Sequence, residues 1–182
     1  LTLFPYTPLF RSISGGAGAD NLSGDAGDDT FSATSADITG LAETISGGTG
    51  TDVLSLTGGG AFNLSTVTLD SIELISGSAS IDSITGTSAA DTIAGGDGAD
   101  LINAGDGANL VSGGAGADNL IGGTGADTFS AASAEITGMA ATISGRGGTD
   151  VLHLTGGGGL NVSTAPLVCI EVIFGSRSLE SI

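Results

Sequence analysis

The sequence predicts an all-β solenoid, in which short parallel strands of one chain stack as successive coils. A nine-residue pattern, Gly-Gly-x-Gly-x-Asp-x-U-x with U a large apolar residue, repeats along the chain and is clearest over residues 95–130. Glycine supplies 34 of the 182 residues, whereas aromatic residues make up only 4%. These proportions favour thin stacked apolar layers over a conventional core of large side chains.

Each repeat is predicted to form one turn and one strand. Glycine permits positive φ and close backbone approach, so the chain can reverse within the six residues Gly-Gly-x-Gly-x-Asp. The residues x-U-x then form a short strand whose U side chain points inward. Two repeats make one coil of 18 residues, so turns nine residues apart lie on opposite edges and turns eighteen apart stack, at about 4.8 Å.

Two sets of residues keep this phase throughout the chain. The sixth-position residues are Asp20, Asp29, Asp52, Asp82, Asp91, Asp100, Asn109, Asp118, Asp127 and Asp150. The inward apolar residues are Leu22, Phe31, Leu54, Ile84, Ile93, Ile102, Val111, Leu120, Phe129 and Leu152. A flexible linker with solvated turn aspartates would not be expected to maintain this correspondence.

Stacked turns of this composition predict metal sites. They offer only oxygen ligands, from carboxylates and carbonyls, and six to eight flexible oxygens suit Ca²⁺ better than Mg²⁺. The best stacked pairs are Asp100 with Asp118 on one edge and Asn109 with Asp127 on the other. The glycines expected to shape these sites are Gly95, Gly96, Gly98, Gly105, Gly107, Gly113, Gly114, Gly116, Gly122, Gly123 and Gly125.

Four turns depart from the pattern and are predicted to be weaker sites. Gly86–Asp91 reads GTSAAD and lacks the inner glycines, and Gly77–Asp82 (GSASID) is weaker still. The turn Gly24–Asp29 is expected to have its stacking partner in an irregular zone. Arg146 replaces a glycine in the turn 145–150 and brings a cation near that site.

A longer repeat lies above the nine-residue one. Ser14–Leu22 and Ser112–Leu120 have the same nine letters, 98 residues apart. The predicted division is a first, partial module over 13–76 and a second module over 77–182, truncated at its C-terminus. Residues 1–12 resemble the translation of a sequencing adapter and are expected to be an artefactual leader.

Within each module an irregular zone interrupts the repeats, at 33–46 and 131–144. Successive turns there are 23 residues apart rather than 18, which predicts a bulged coil or a short helix around Ala131–Ile136. The remainder of the second module is predicted to be rich in strands. The candidates are Val151–Leu154, Leu160–Val162 and Ile170–Phe174.

Charge and composition exclude several classes of partner. The chain has 20 acidic residues, three arginines and no lysine, for a net charge of −17. Nucleic acid and anionic membrane surfaces are therefore disfavoured, because both are bound through Lys and Arg. No apolar run approaches the roughly 18 residues of a membrane-spanning helix, and one cysteine cannot form an intrachain disulfide.

Catalysis is not predicted. His153 and Cys169 both align with serines 98 residues earlier, so neither has a role common to both modules. Glu73 and Glu171 are interpreted as marking the solvent face of a strand rather than as a catalytic pair. The metalloprotease, nucleophile-elbow and nucleotide-binding motifs are absent from the sequence.

Over residues 14–182 the repeats resemble those of the RTX, or hemolysin-type, calcium-binding proteins of bacteria. The resemblance implies a right-handed parallel β-roll with rows of Ca²⁺ along both edges, loosely four to six ions. It also implies type I secretion, hence a secreted or cell-surface protein, whose repeats are disordered at low calcium and fold outside the cell.

Three classes of function follow from the sequence. The first is a calcium-stabilised, non-enzymatic structural module of an adhesin-like protein, with carbohydrate or cell-surface ligands bound through other parts of it. The second is the calcium-binding C-terminal region of a secreted protease, lipase or polysaccharide-modifying enzyme whose catalytic domain lies elsewhere. The third, a metal-free β-helix that binds carbohydrate or ice, is disfavoured because it would not need periodic aspartate.

Overall fold

Parallel strands account for nearly all the regular structure. The computed structural model describes residues 10–38, 43–132, 141–155 and 167–175. Numbered along the chain, these residues contain strands β1 to β18 and one short helix, α1 (Ser35–Ile38), and every strand pairing is parallel. The prediction of an all-β solenoid is confirmed.

The strands form three sheets. The first contains β1 (Ser12–Ile13), β3 (Thr30–Thr34), β5 (Val53–Thr57), β8 (Leu74–Ser76), β10 (Thr92–Asp97), β12 (Leu110–Ala115), β14 (Thr128–Ala132), β16 (Val151–Thr155) and β18 (Val172–Phe174), in that order. The second contains β6 (Gly60–Asn63), β9 (Asp82–Thr85), β11 (Leu101–Asp106), β13 (Asn119–Thr124), β15 (Thr142–Gly147) and β17 (Leu167–Val168). The third contains β2 (Asn21–Ser23), β4 (Thr44–Ser46) and β7 (Thr68–Asp70).

In the regular part of the chain, successive coils are 18 residues apart, as the repeat predicts. Ile93 pairs with Val111 in the first sheet, and Ile102 pairs with Leu120 in the second. Consecutive strands thus alternate between the two sheets. The turns that precede strands of one sheet therefore stack along one edge, and the others stack along the opposite edge.

Longer coils keep the inward phase. Phe31 pairs with Leu54 at a separation of 23 residues, and Leu54 pairs with Ile75 at a separation of 21. In the first irregular zone part of the additional chain forms α1, which confirms the alternative of a short helix for this copy. In the second copy, Ala131 and Ala132 belong to β14, and the rest of the predicted helix lies outside the described residues.

The inward apolar residues form one core along the solenoid. Nine of the ten predicted inward residues are buried, and Leu22 is partly buried against them. Ile45, Phe62, Ile75 and Ile143 are also buried, in coils where the nine-residue pattern is degenerate. Their strand pairing places them in register with the predicted positions, so the core continues where the motif fades.

Strand predictions in the second module hold in part. Val151–Leu154 lies within β16, and Ile170–Phe174 contains the shorter β18. The candidate Leu160–Val162 lies outside the described residues, as do most of the predicted leader and residues 176–182. No helix in the described part of the chain is long and apolar enough to span a membrane.

Candidate metal centres

The sixth-position side chains form two ladders, one along each edge. Each member lies at, or just before, the start of a strand. The first ladder, at the strands of the first sheet, contains Asp29, Asp52, Glu73, Asp91, Asn109, Asp127, Asp150 and Glu171. The second ladder, at the strands of the other two sheets, contains Asp20, Glu43, Asp82, Asp100 and Asp118.

One side-chain oxygen of most ladder residues joins adjacent coils. Oδ1 of Asp118 accepts the backbone N–H of Asp100 at 2.9 Å, and Oδ1 of Asp100 accepts that of Asp82 at 2.9 Å. In the first ladder, Oδ1 of Asp127 accepts the N–H of Asn109 at 2.9 Å. Both pairs predicted as the best stacked turns are therefore in direct contact.

Two glutamates that the sequence analysis placed on a strand's solvent face are ladder members, so that interpretation is wrong. Oε2 of Glu73 accepts the N–H of Asp52 at 2.6 Å, and Oε2 of Glu171 accepts the N–H of Asp150 at 2.7 Å. Both coils advance by 21 residues instead of 18. Their recurrence 98 residues apart was the signal that could have identified them.

The turn 24–29 also has a different partner from the one expected. It stacks on the turn 47–52, with the N–H of Asp29 donating to Oδ1 of Asp52 at 2.7 Å and a bridge between Ala26 and Thr49. The additional residues of this coil are accommodated between β3 and β4, where α1 lies. Stacking of the turns is therefore unaffected by the irregular zone.

The second carboxylate oxygen has a different environment. In six turns Oδ2 is buried and has no hydrogen-bond partner among the described residues, which leaves a negative charge uncompensated. These turns end at Asp20, Asp29, Asp52, Asp100, Asp127 and Asp150. Such oxygens are suited to a cation.

Backbone carbonyls complete the oxygen-rich surroundings. Gly114 and Gly116 have φ of 99° and 144°, and a Cβ on either would collide with the carbonyl oxygen of Gly96 or Gly98 in the preceding turn. Within the described residues no three His, Cys, Asp or Glu side chains converge on one point. Any cation held here therefore needs carbonyl as well as carboxylate ligands, which is the donor set that Ca²⁺ accepts.

A comparison with protein families decides the nature of these turns. The model for the RTX calcium-binding nonapeptide repeat, in four copies, matches residues 12–35, 76–111 and 103–133. The chain carries RTX calcium-binding repeats. Repeats of this family bind Ca²⁺, in agreement with the donor set. A search of curated proteins found no match.

The RTX turn 145–150 tolerates the arginine in its second position. Arg146 keeps a positive φ of 69° and its side chain is exposed. Asp150 is fully buried, and its Oδ1 accepts the N–H of Asp127 at 2.8 Å. The shape of the turn is thus preserved, although the backbone is strained for a residue with a side chain.

Burial disfavours the charged form of several RTX carboxylates. It raises the pKa of Asp91, Asp100, Asp118 and Asp127 above the ordinary value. For Asp100, the carboxylates of Asp118 and Asp82 raise the pKa further, and the hydrogen bond from the N–H of Asp82 opposes them. Without a cation, the RTX ladders therefore hold negative charge at a free-energy cost.

A pH effect on the calcium-free fold follows from these shifts. Because the pKa is raised on folding, the folded chain takes up protons more readily than the unfolded chain does. We expect the calcium-free solenoid to gain stability as pH falls from 8 towards the ordinary aspartate pKa of about 4. The measurement is the β-sheet circular dichroism and melting temperature in calcium-depleted buffer.

General repulsion within a chain of charge −17 would act in the same direction. Repeating the series in about 0.5 M NaCl screens exposed charges and leaves the buried ones largely unaffected. A melting temperature that does not rise on acidification in salt would contradict the effect of burial. In saturating calcium the trend reverses, because protons compete with the ion for the carboxylates.

Proposed function

We propose that this chain is a calcium-stabilised structural module whose RTX turns bind several Ca²⁺ ions and so hold the coils together. One observation carries the proposal: six buried Oδ2 atoms lack a partner among the described residues. A bound cation would compensate these charges, and its binding free energy would contribute directly to folding.

Pairs of stacked turns supply the proposed sites. Asp100 with Asp118 and Asn109 with Asp127 remain the leading pairs, each joined by a hydrogen bond of 2.9 Å. The contact between Asp29 and Asp52 supports a further site in the first module. These sites are consistent with four to six ions.

The character of the surface favours a structural role over a catalytic one. In the described residues, His153 and Cys169 are both exposed, and reactive side chains do not gather in threes. A solenoid extends by adding coils, so a long array of modules with a 98-residue repeat would make a stalk. We therefore favour the adhesin-like protein over the calcium-binding region of a secreted hydrolase.

A location outside the cell fits the same physics. A glycine-rich chain of charge −17 has a large backbone entropy and repels itself when unfolded, so it needs calcium to fold. Such a chain could stay unfolded at low cytoplasmic calcium and fold after secretion. Type I secretion of a bacterial surface protein is the route that we propose on these grounds.

Direct measurement of bound calcium tests the proposal. We expect equilibrium dialysis to give several Ca²⁺ per chain and little binding of Mg²⁺, which prefers rigid octahedral geometry. Asp100→Asn should lower the number of bound ions, because it removes a buried negative charge. The fold accepts an amide at this position in the repeat, as Asn109 demonstrates.

The matched control is Asp37→Asn, which removes one negative charge from α1 at a residue that belongs to neither ladder. Asp37 accepts hydrogen bonds from Thr34 that an asparagine oxygen can still accept. Its calcium count should equal that of the unsubstituted chain. Binding of no calcium by the unsubstituted chain, or equal losses in both variants, would overturn the proposed function.

A further inference from the structure

Two turns in the middle of the chain satisfy their carboxylates internally. In the turn 86–91, the N–H of Thr87 donates to Oδ2 of Asp91 at 2.8 Å, and the Thr87 hydroxyl lies 3.0 and 3.1 Å from its two oxygens. In the turn 77–82, the N–H and hydroxyl of Ser78 donate to Oδ2 of Asp82 at 2.7 and 2.9 Å. Each second-position residue thus binds the carboxylate of its own turn.

The same hydroxyls also fix the backbone of the turn. The N–H of Ala89 donates to Oγ1 of Thr87 at 3.1 Å, and the N–H of Ser80 donates to Oγ of Ser78 at 3.1 Å. A short network therefore runs from the fourth-position N–H through the hydroxyl to the sixth-position carboxylate. We call this arrangement a hydroxyl-latched turn.

The backbone of a latched turn differs from that of the other RTX turns. Second-position glycines have positive φ, including Gly96 at 109° and Gly123 at 121°. Asp25 and Arg146 also have positive φ at this position, 66° and 69°, although they are not glycines. Neither Ser78 nor Thr87 has positive φ. The hydroxyl residue, and not merely the presence of a side chain, accompanies the change.

The fate of the carboxylate follows this difference. Turns with Asp25 or Arg146 in the second position leave Oδ2 of their aspartate buried and unpartnered within the described residues. Asp91, by contrast, has both oxygens within hydrogen-bonding distance of Thr87. Asp82 has Oδ2 bonded and only Oδ1 buried without a partner, so Asp91 is the more complete case.

A break in the first ladder adds a reason for the latch. The N–H of Glu73, one coil before Asp91, donates to the carbonyl of Asp52 at 3.0 Å. The Asp91 carboxylate therefore does not form the contact between coils that its neighbours make. Thr87 supplies the hydrogen bonds that stabilise this buried carboxylate instead.

We propose that serine or threonine at the second position closes an RTX turn to calcium, so that Ser78 and Thr87 determine which turns take the ion. The inference rests on the proposed function, because it assigns calcium to the other turns. Donors from the turn replace the cation at Asp82 and Asp91. These two residues, counted among the candidate ligands from sequence, then stabilise the ladders without metal.

Exchanging the second-position residue tests the proposal. Thr87→Gly restores a glycine that can adopt positive φ and frees the Asp91 carboxylate, so it should bind one more Ca²⁺ per chain in equilibrium dialysis. Thr87→Ser keeps the latch and should leave the count unchanged. The reverse substitution, Gly96→Ser, should lower the count by one, because it can form the latch on Asp100.

The outcomes separate this proposal from the proposed function. If the unsubstituted chain binds calcium and folded Thr87→Gly and Gly96→Ser leave the count unchanged, the latch has no role in ion selection. A second measurement needs no variant: anomalous diffraction from calcium-loaded crystals of the unsubstituted chain. We expect calcium beside Asp100, and an ion within about 2.6 Å of an Asp91 oxygen would overturn the proposal.

Discussion

Removal of calcium is expected to convert the β-rich solenoid into a coil-like ensemble. Each nine-residue repeat buries one large apolar side chain, such as Ile102 or Val111. Burial of one such side chain, worth about 2 kcal/mol, does not offset the entropy lost by ordering nine residues, many of them glycine. Bound cations must therefore provide much of the stability.

Burial of charge strengthens this expectation. Asp52, Asp127 and Asp150 are fully buried, and each retains one carboxylate oxygen without a partner in the described part of the chain. In the absence of a cation, folding removes these charges from water without full compensation. The expected effect of chelation is therefore loss of the fold as a whole rather than a shift of a few degrees.

Far-ultraviolet circular dichroism during a calcium titration measures this transition. The chelated chain should give a coil-like spectrum, and millimolar Ca²⁺ should induce a β-sheet spectrum and a cooperative thermal melt. Magnesium at the same concentration is the control and should induce little structure. A chelated chain that retains the β-sheet spectrum and melting temperature would contradict calcium-dependent folding.

Substitution of Gly116 by alanine is expected to disrupt the stack at the centre of the repeat run. A Cβ there would collide with the carbonyl oxygen of Gly98, and backbone atoms cannot move aside as a flexible side chain can. The φ of 144° is itself unfavourable for any residue with a side chain. The turns 95–100 and 113–118 should separate, and the calcium site between them should be lost.

The chain contains a matched control for this variant. Gly18 occupies the same position in the identical nonapeptide Ser14–Leu22 and has φ of 134°, but a Cβ there would meet no atom within 4 Å. Gly18→Ala therefore introduces the backbone strain alone. Gly116→Ala introduces the strain together with the steric conflict between two coils.

The calcium concentration at half-maximal folding compares the two variants. Gly18→Ala should cost about 1–3 kcal/mol from backbone strain, and Gly116→Ala about 2 kcal/mol or more beyond that. A single turn of an open-ended solenoid can unfold locally, so amide hydrogen exchange near each substitution should accompany the titration. Equal effects at both positions would mean that close approach of the turns does not limit stability.

The phase of the nine-residue repeat is sufficient to predict much of the fold. Because Asp and U positions recur together, the repeat alone locates the buried Asp100 and Ile102 and their partners one coil later. Local strand formation and inward packing depend only on that period. Register across the irregular zones could not be read from it, since the partner of Asp29 is fixed by the packing of Phe31 on Leu54.

Other features of the site depend on backbone geometry that composition does not reveal. In the sequence, Glu73 is indistinguishable from a strand residue, whereas in the fold its carboxylate accepts a hydrogen bond from the N–H of Asp52. The turns with Ser78 and Thr87 differ from RTX sites in the sign of φ and in the direction of one N–H. A motif match scores such turns only as weaker versions of the same site.

The ability of coils of different size to stack in register has a consequence for the dimensions of the molecule. Each coil advances the solenoid by about 4.8 Å, whether it contains 18 residues or 23. The nine strands of the first sheet therefore span about 38 Å, a length fixed by eight steps and not by the number of residues between them. Residues inserted into a coil widen the cross-section locally and leave the distance between the two ends of the sheet unchanged.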